Sequence, residues 1–188
     1  MRIISGKLKG KTISFLKSFI TRPLKDSVKE SIFNIIIHSN LLNVNIRNSK
    51  ILDLYSGIGS FGLECISRGA ERITFVEKDK NAAEILKKNL IDLGIKKNAT
   101  IIIDEIENFL KKKYLSEQFE IIFLDPPFTD KSYLQKLKLI KQNNNYKKDH
   151  LIIIHRERKS FENFENILSP ILIKQYGRSK IIFGKFLR

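Results

Sequence analysis

From Lys50 onward the apolar positions of the chain switch period again and again, and each switch marks an element. KILDLYS is a short apolar run of strand length, and FGLECISRG spaces its apolar side chains as a helix closed by Gly69. RITFVEKD predicts a second strand; KNAAEILKKNLIDLG predicts a helix that turns Ala83, Leu86, Leu90 and Leu93 inward and stops at Gly94. ATIIID reads as a third strand, IENFLKKKYL as a helix, and FEIIFLDPPF as a fourth strand that must stop at its double proline. SYLQKLKLIKQ then predicts a helix, HLIIIHRE a strand, and PILIKQYG with SKIIFGKF an antiparallel pair. The polar stretch KQNNNYKK is expected to be a mobile loop. This order predicts an α/β fold: a mostly parallel central sheet, helices on both faces and a C-terminal antiparallel hairpin.

Upstream, RIISGKLKGKTISF alternates loosely around Gly6 and Gly10, which predicts short strands or a hairpin with Lys7, Lys9 and Lys11 on one face, either a binding face or a merely solvated one. In TRPLKDSVKESIFNIII, Arg22-Pro23 breaks the chain and Asp26 or Ser27 is positioned to cap a helix whose inner face is Val28, Ile32, Phe33, Ile36 and Ile37. One domain over residues 1–188 follows, with 1–48 a small N-terminal extension and 49–188 the α/β core.

Composition narrows the partners. No apolar run nears the roughly 20 residues that span a bilayer, and MRIISGKLKGK lacks a signal-peptide core, so a soluble, cytoplasmic protein is expected. A single cysteine, Cys65, and three scattered histidines, His38, His150 and His155, exclude an internal disulfide and argue against a metal site. The formal charge of +15 favours a polyanion, nucleic acid above all, although AT-biased coding also accumulates lysine.

Gly57-Ile58-Gly59-Ser60-Phe61-Gly62 matches the dinucleotide fingerprint G-x-G-x-x-G, a weak signal by itself. Asp53, at the end of the preceding strand, argues against it: a carboxylate repels a pyrophosphate in a closed crevice and attracts an ammonium. S-adenosylmethionine carries an amino group and a cationic sulfur, and no phosphate. Glu77 ends the next strand, where ribose hydroxyls would lie, and Asp104 or Glu105 ends the third, within reach of an adenine amino group. The bland alternative is that such acids cap the helices that follow. Asp125-Pro126-Pro127-Phe128 ends the fourth strand: a stiff turn with outward carbonyls, an acid to hold an exocyclic amine and an aromatic to stack on a base.

DLYSGIGSFGLE with DPPF resembles the class I S-adenosylmethionine-dependent methyltransferases that modify exocyclic amino groups of bases. RIISGKLKGKTI, TRPLKDSVKESIFNII and KQYGRSKIIFGKF resemble, more narrowly, the bacterial 16S rRNA guanine-N2 methyltransferases of the RsmD type, over nearly the whole chain. That resemblance implies a Rossmann-like fold with S-adenosylmethionine as cofactor. It implies that Asp53, Gly57 and Gly59 meet the methionine portion, Glu77 the ribose, and Asp104 or Glu105 the adenine, with Tyr55 also at the cofactor. Asp125, Pro126, Pro127 and Phe128 would hold the target guanine, and Arg2, Lys7, Lys9 and Arg22 would meet RNA. The implied partner is 16S rRNA in an assembled or assembling small ribosomal subunit, acted on by a monomer. Ser5, Leu24 and Lys25 depart from the family pattern. Methylation of adenine N6 in DNA and a non-catalytic RNA-binding module are the competing readings; a nicotinamide dehydrogenase would leave Asp53 unexplained.

Overall fold

Strand residues of alternating parity go to opposite faces, and here both faces are apolar. The structure, a computed structural model, describes residues 1–15, 24–111 and 117–187. Its strands are β1 (Lys50–Leu54), β2 (Arg72–Glu77), β3 (Ala99–Ile103), β4 (Phe119–Leu124), β5 (Tyr146–Glu157), β6 (Leu168–Tyr176) and β7 (Ser179–Phe186). The helices are α1 (Asp26–His38), α2 (Ser60–Ser67), α3 (Lys80–Asp92), α4 (Ile106–Lys111) and α5 (Tyr133–Gln142), with a short 3₁₀ turn at Lys96–Asn98. One sheet runs β3-β2-β1-β4-β5-β7-β6. The first five strands pair in parallel, and β7 lies antiparallel between β5 and β6.

Ile51, Ile73, Phe75, Ile121, Phe123 and Ile153 face a core closed by α1, α2 and α3. Leu52, Leu54, Val76, Ile122, Leu124 and Ile154 face a second core closed by α4 and α5. Phe61 of α2 stacks between Phe33 of α1 and Phe123 of β4, with centroids at 5.3 and 4.0 Å. After β1 the chain winds one way to β2 and β3, then returns to β4 on the other side of β1. The carboxyl ends of β1 and β4 therefore flank a topological switch point, the place where such sheets open a crevice.

Three local expectations are corrected. The N-terminal arm is not among them: it closes as a minimal hairpin, with one antiparallel bridge from Arg2 to Thr12 and the Ile3 and Ile13 amides bonded to Lys11 O and Met1 O, bent at Gly6 and Gly10 (φ 81° and 84°). α1 has Lys25 at its N-cap with no side-chain cap; Asp26 instead lies 3.5 Å from the Lys29 ammonium, and Ile37 is exposed. Leu93 is only partly buried. KQNNNYKK is no loop: α5 ends at Asn143, Asn144 takes φ 55°, and β5 begins at Tyr146, with Asn145 buried. Asparagine is among the few side chains that tolerate that left-handed backbone.

Among the described residues no helix is long and apolar enough to cross a membrane, and no group of acids, histidines and cysteine is set to hold a metal ion.

Candidate active site

β1 delivers Asp53 into the interior, where it is 1% exposed and its Oδ2 accepts from the Gly62 amide at 3.0 Å. Burial drives its pKa well above the ordinary carboxylate range; the Gly62 bond opposes that, and the charges of Asp125 and Glu77 add to it. A buried acid with one donor among the described residues, the Gly62 amide, and two acidic neighbours favours a cation beside it. Glu77, at the end of β2, crosses to the glycine turn: its Oε2 accepts from the Gly57 amide at 2.7 Å and its Oε1 from the Asp79 amide at 2.8 Å. Each oxygen keeps a further lone pair.

The three glycines of the turn separate by role. A side chain at Gly57 would meet nothing within 4 Å, so this backbone faces open space, at φ 53°. A Cβ at Gly59 would lie 2.4 Å from Leu86 Cδ1, and one at Gly62 2.3 Å from the Phe75 ring. Gly59 and Gly62 thus let α2 approach β2 and α3, and only Gly57 has the open surroundings that a ligand needs.

Tyr55 holds φ 59°, unusual for an aromatic residue, and its hydroxyl donates to Asp130 Oδ2 at 2.7 Å. Burial and the Asp130 bond raise its pKa. Burial would raise the pKa of Asp130, but bonds from Ser132 and Tyr55 and the Lys136 ammonium bring it below its ordinary value. The hydroxyl of Tyr55 is thereby committed to the loop after β4. Asp104 bonds locally, accepting from the Glu105 amide at 2.8 Å and from Asn108 Nδ2 at 2.9 Å, just ahead of α4. Glu105 is exposed and pairs with Lys78 at 3.3 Å.

The DPPF loop leaves β4 with the Asp125 amide 3.4 Å from the carbonyl of Leu54 in β1, which brings the tetrad against the glycine-turn strand. Its carbonyls are not all free, as the sequence suggested. Pro127 O accepts from the Asp130 amide at 2.8 Å and from Arg156 at 3.1 Å, and Phe128 O accepts from Arg156 at 3.1 Å. Pro126 O has no donor among the described residues. Arg156 is buried, paired with Glu162 at 3.3 Å, and lies over the Tyr133 ring. Asp125 Oδ1 lies 2.7 Å from His155 Nδ1, and the Phe128 ring meets the imidazole edge-on, centroids 5.5 Å apart. His155, Arg156 and Glu162 were not singled out from the sequence. The available signal was the polar pair that ends the apolar run IIIHR, at the carboxyl end of a strand next to β4.

The arm places Arg2, Lys7 and Lys9 on the surface; Arg22 lies outside the described residues. Side chains of α2 and α3 fasten this arm. Buried Glu64 accepts from the amides of Ile4 at 2.7 Å and Ser5 at 2.9 Å, Ser67 Oγ bonds Ser5 O and the Leu8 amide, and Asn89 bonds both backbone groups of Ser14. Lys29, fully buried, donates to Arg2 O at 3.0 Å and lies 3.9 Å from Glu64.

The sheet order, the acid-led glycine turn at the switch point and the DPPF loop beside it define a Rossmann-like class I methyltransferase. The family described as conserved hypothetical protein 95 matches residues 1–185, and the chain belongs to it, the RsmD family of methyltransferases. Ribosomal RNA small subunit methyltransferase D of Haemophilus influenzae is 37% identical over 159 residues, 84% of this chain and 79% of that protein. The protein of the same name from Escherichia coli is 31% identical over 157 residues, 84% of this chain and 75% of its own. The solved structure of yhhF from Escherichia coli has a TM-score of 0.84 at 27% identity, covering 99% of this chain and 97% of that one. HI0767 from Haemophilus influenzae gives 0.80 at 31% identity, covering 100% and 98%.

Proposed function

We propose that this chain transfers the methyl group of S-adenosylmethionine to the exocyclic N2 of a guanine in 16S rRNA, within an assembled or assembling small ribosomal subunit. The observation that carries the reading is the pairing of two acids across the switch point: Asp53, buried and bonded to the Gly62 amide, and Asp125, anchored to the same strand through Leu54. One suits a cationic amino acid end and the other a neutral amine. Relatives named for small-subunit rRNA methylation support the choice of substrate.

The residues fit the cofactor on the structure's own terms: a buried acid that favours a cation, and a turn at Gly57 open to a ligand. Asp53 and the Gly57 backbone would hold the methionine portion, Glu77 the ribose, and Asp104 or Glu105 the adenine. When bound, S-adenosylmethionine supplies a methyl group on a cationic sulfur. The lone pair of a guanine amine is delocalised into the ring and nucleophilic only weakly. The Asp125 carboxylate and the Pro126 carbonyl would accept its two hydrogens, aim the nitrogen and stabilise the positive charge that grows on it. Phe128 would stack on the base, which must be unpaired or flipped out to arrive there. Arg2, Lys7, Lys9 and Arg22 would meet the RNA backbone.

The test is methyl transfer from labelled S-adenosylmethionine to small subunits that lack the modification, followed by digestion to nucleosides. N2-methylguanosine is the expected product. No transfer overturns the reading, and N6-methyladenine in DNA replaces it.

A further inference from the structure

The carboxyl edge of the sheet carries a second feature that the methyl-transfer site does not use. β5 runs parallel to β4, so the chain leaving it at Glu157 emerges beside the DPPF loop, and β7 starts at the same edge with Ser179 opposite Glu157. The segment that follows is pinned. The Arg158 amide donates to Arg178 O at 2.8 Å, the Ser160 amide to Glu157 O at 3.1 Å, and the Lys180 ammonium to Ser160 O. Glu162 pairs with Arg156 at 3.3 Å and with Lys180 at 2.5 Å, and Arg156 in turn grips Pro127 O and Phe128 O. The segment is thus fixed relative to the tetrad through one buried guanidinium.

On this fixed support Phe161 is 93% exposed, more than any other large apolar side chain among the described residues. Arg158 and Lys159 precede it, and Arg178 sits on the apposed β6–β7 turn; all three are exposed. None of them has a carboxylate partner among the described residues, while Glu162 is consumed by Arg156 and Lys180. A lone exposed phenyl is unremarkable on most surfaces. This one shares its segment with the unpaired cations Arg158 and Lys159, which a backbone bond joins to Arg178, and is tied to the loop that would hold a base; aromatic faces beside cationic groups are what single-stranded nucleic acid engages.

We propose that Phe161 stacks on an unpaired base flanking the target nucleotide, while Arg158, Lys159 and Arg178 hold the adjoining phosphates. The proposal rests on the RNA-methylation reading above. It gives this edge of the sheet the task of orienting the strand that enters the DPPF loop, in addition to the N-terminal arm.

The test compares variants on unmodified small subunits or their rRNA. Phe161→Ala should raise the KM for RNA by about five- to a hundredfold, the range that loss of one stacking contact produces. Its kcat, cofactor affinity and melting temperature should stay as in the parent, since the side chain packs on nothing. Phe161→Trp should retain affinity and Phe161→Leu should not; full retention by Leu overturns stacking and indicates an apolar protein contact. Arg158→Ala and Lys159→Ala should each make the salt dependence of binding shallower, by about 0.7–0.9 in the log–log slope. If the parent methylates RNA while Phe161→Ala and the cation variants leave KM and slope unchanged, this inference falls and the methylation reading stands. If the parent methylates no RNA, both fall.

Discussion

His155 Nδ1 lies 2.7 Å from Asp125 Oδ1, across two neighbouring parallel strands. A carboxylate accepts, so the imidazole proton sits on Nδ1, and Asp125 has one oxygen engaged and the other left for an amine. His155 Nε2 is buried and has no partner among the described residues, so the Nδ1 bond is the one that orients the ring. His155→Ala should lower kcat about ten- to a hundredfold, the worth of one hydrogen bond to a charged group, and leave the Kd for S-adenosylmethionine unchanged. His155→Asn, which keeps a donor close to Nδ1, should recover much of the loss in single-turnover assays.

Asp53 ties folding to pH. Its carboxyl titrates near 4 in the unfolded chain and well above that in the folded one, mainly through burial. Between those two values the unfolded state ionises first, so stability falls as pH rises through this window and then levels off. Asp53→Asn keeps an acceptor for the Gly62 amide and removes the buried charge. Above the window the variant should melt at or above the parent temperature, yet bind S-adenosylmethionine at least tenfold more weakly by calorimetry. Unchanged binding would remove Asp53 from the cofactor site.

The glycines give a contrast within one turn. Gly62→Ala puts a methyl 2.3 Å from the Phe75 ring and should cost about 1–3 kcal/mol of stability in urea titration. Gly57→Ala meets no atom and should cost only about 1 kcal/mol for its left-handed backbone, while weakening the cofactor more than the fold.

Arg156 is buried and bonds two carbonyls and a carboxylate at once. Lysine cannot reproduce that fork. Arg156→Lys should lower the denaturation midpoint by about 1–3 kcal/mol equivalents and reduce kcat further than cofactor affinity, because it loosens Pro127 and Phe128 while leaving Asp53 in place.

Much of this was legible in the sequence because it is local. Strand and helix periods alternate cleanly from Lys50 to Phe186, and an acid at a strand end stays at that strand's end in the fold. What sequence could not supply were partners distant along the chain. Asp125 and His155 are 30 positions apart, and Glu64 and Ile4 are 60 apart. Lys29 went unread for the opposite reason: its spacing from Ile32, Phe33 and Ile36 puts it on the apolar face of α1, and only the distant Arg2 carbonyl and Glu64, with Asp26, show how an ammonium is satisfied there. The glycine pattern was legible as a turn, but only the neighbours Leu86 and Phe75 distinguish packing glycines from one that faces open space.

The fastening of the arm by Glu64, Ser67 and Asn89 bears on how this chain can be rebuilt. Severed at residue 48, the remainder would lose the two amides and the Lys29 ammonium that meet Glu64 and would uncover the apolar faces that the arm and α1 cover, leaving Glu64 with Arg68. An arm transplanted from a relative to redirect RNA choice will seat only if the acceptors on α2 and α3 travel with it, so the interchangeable part is the arm together with those two helix faces.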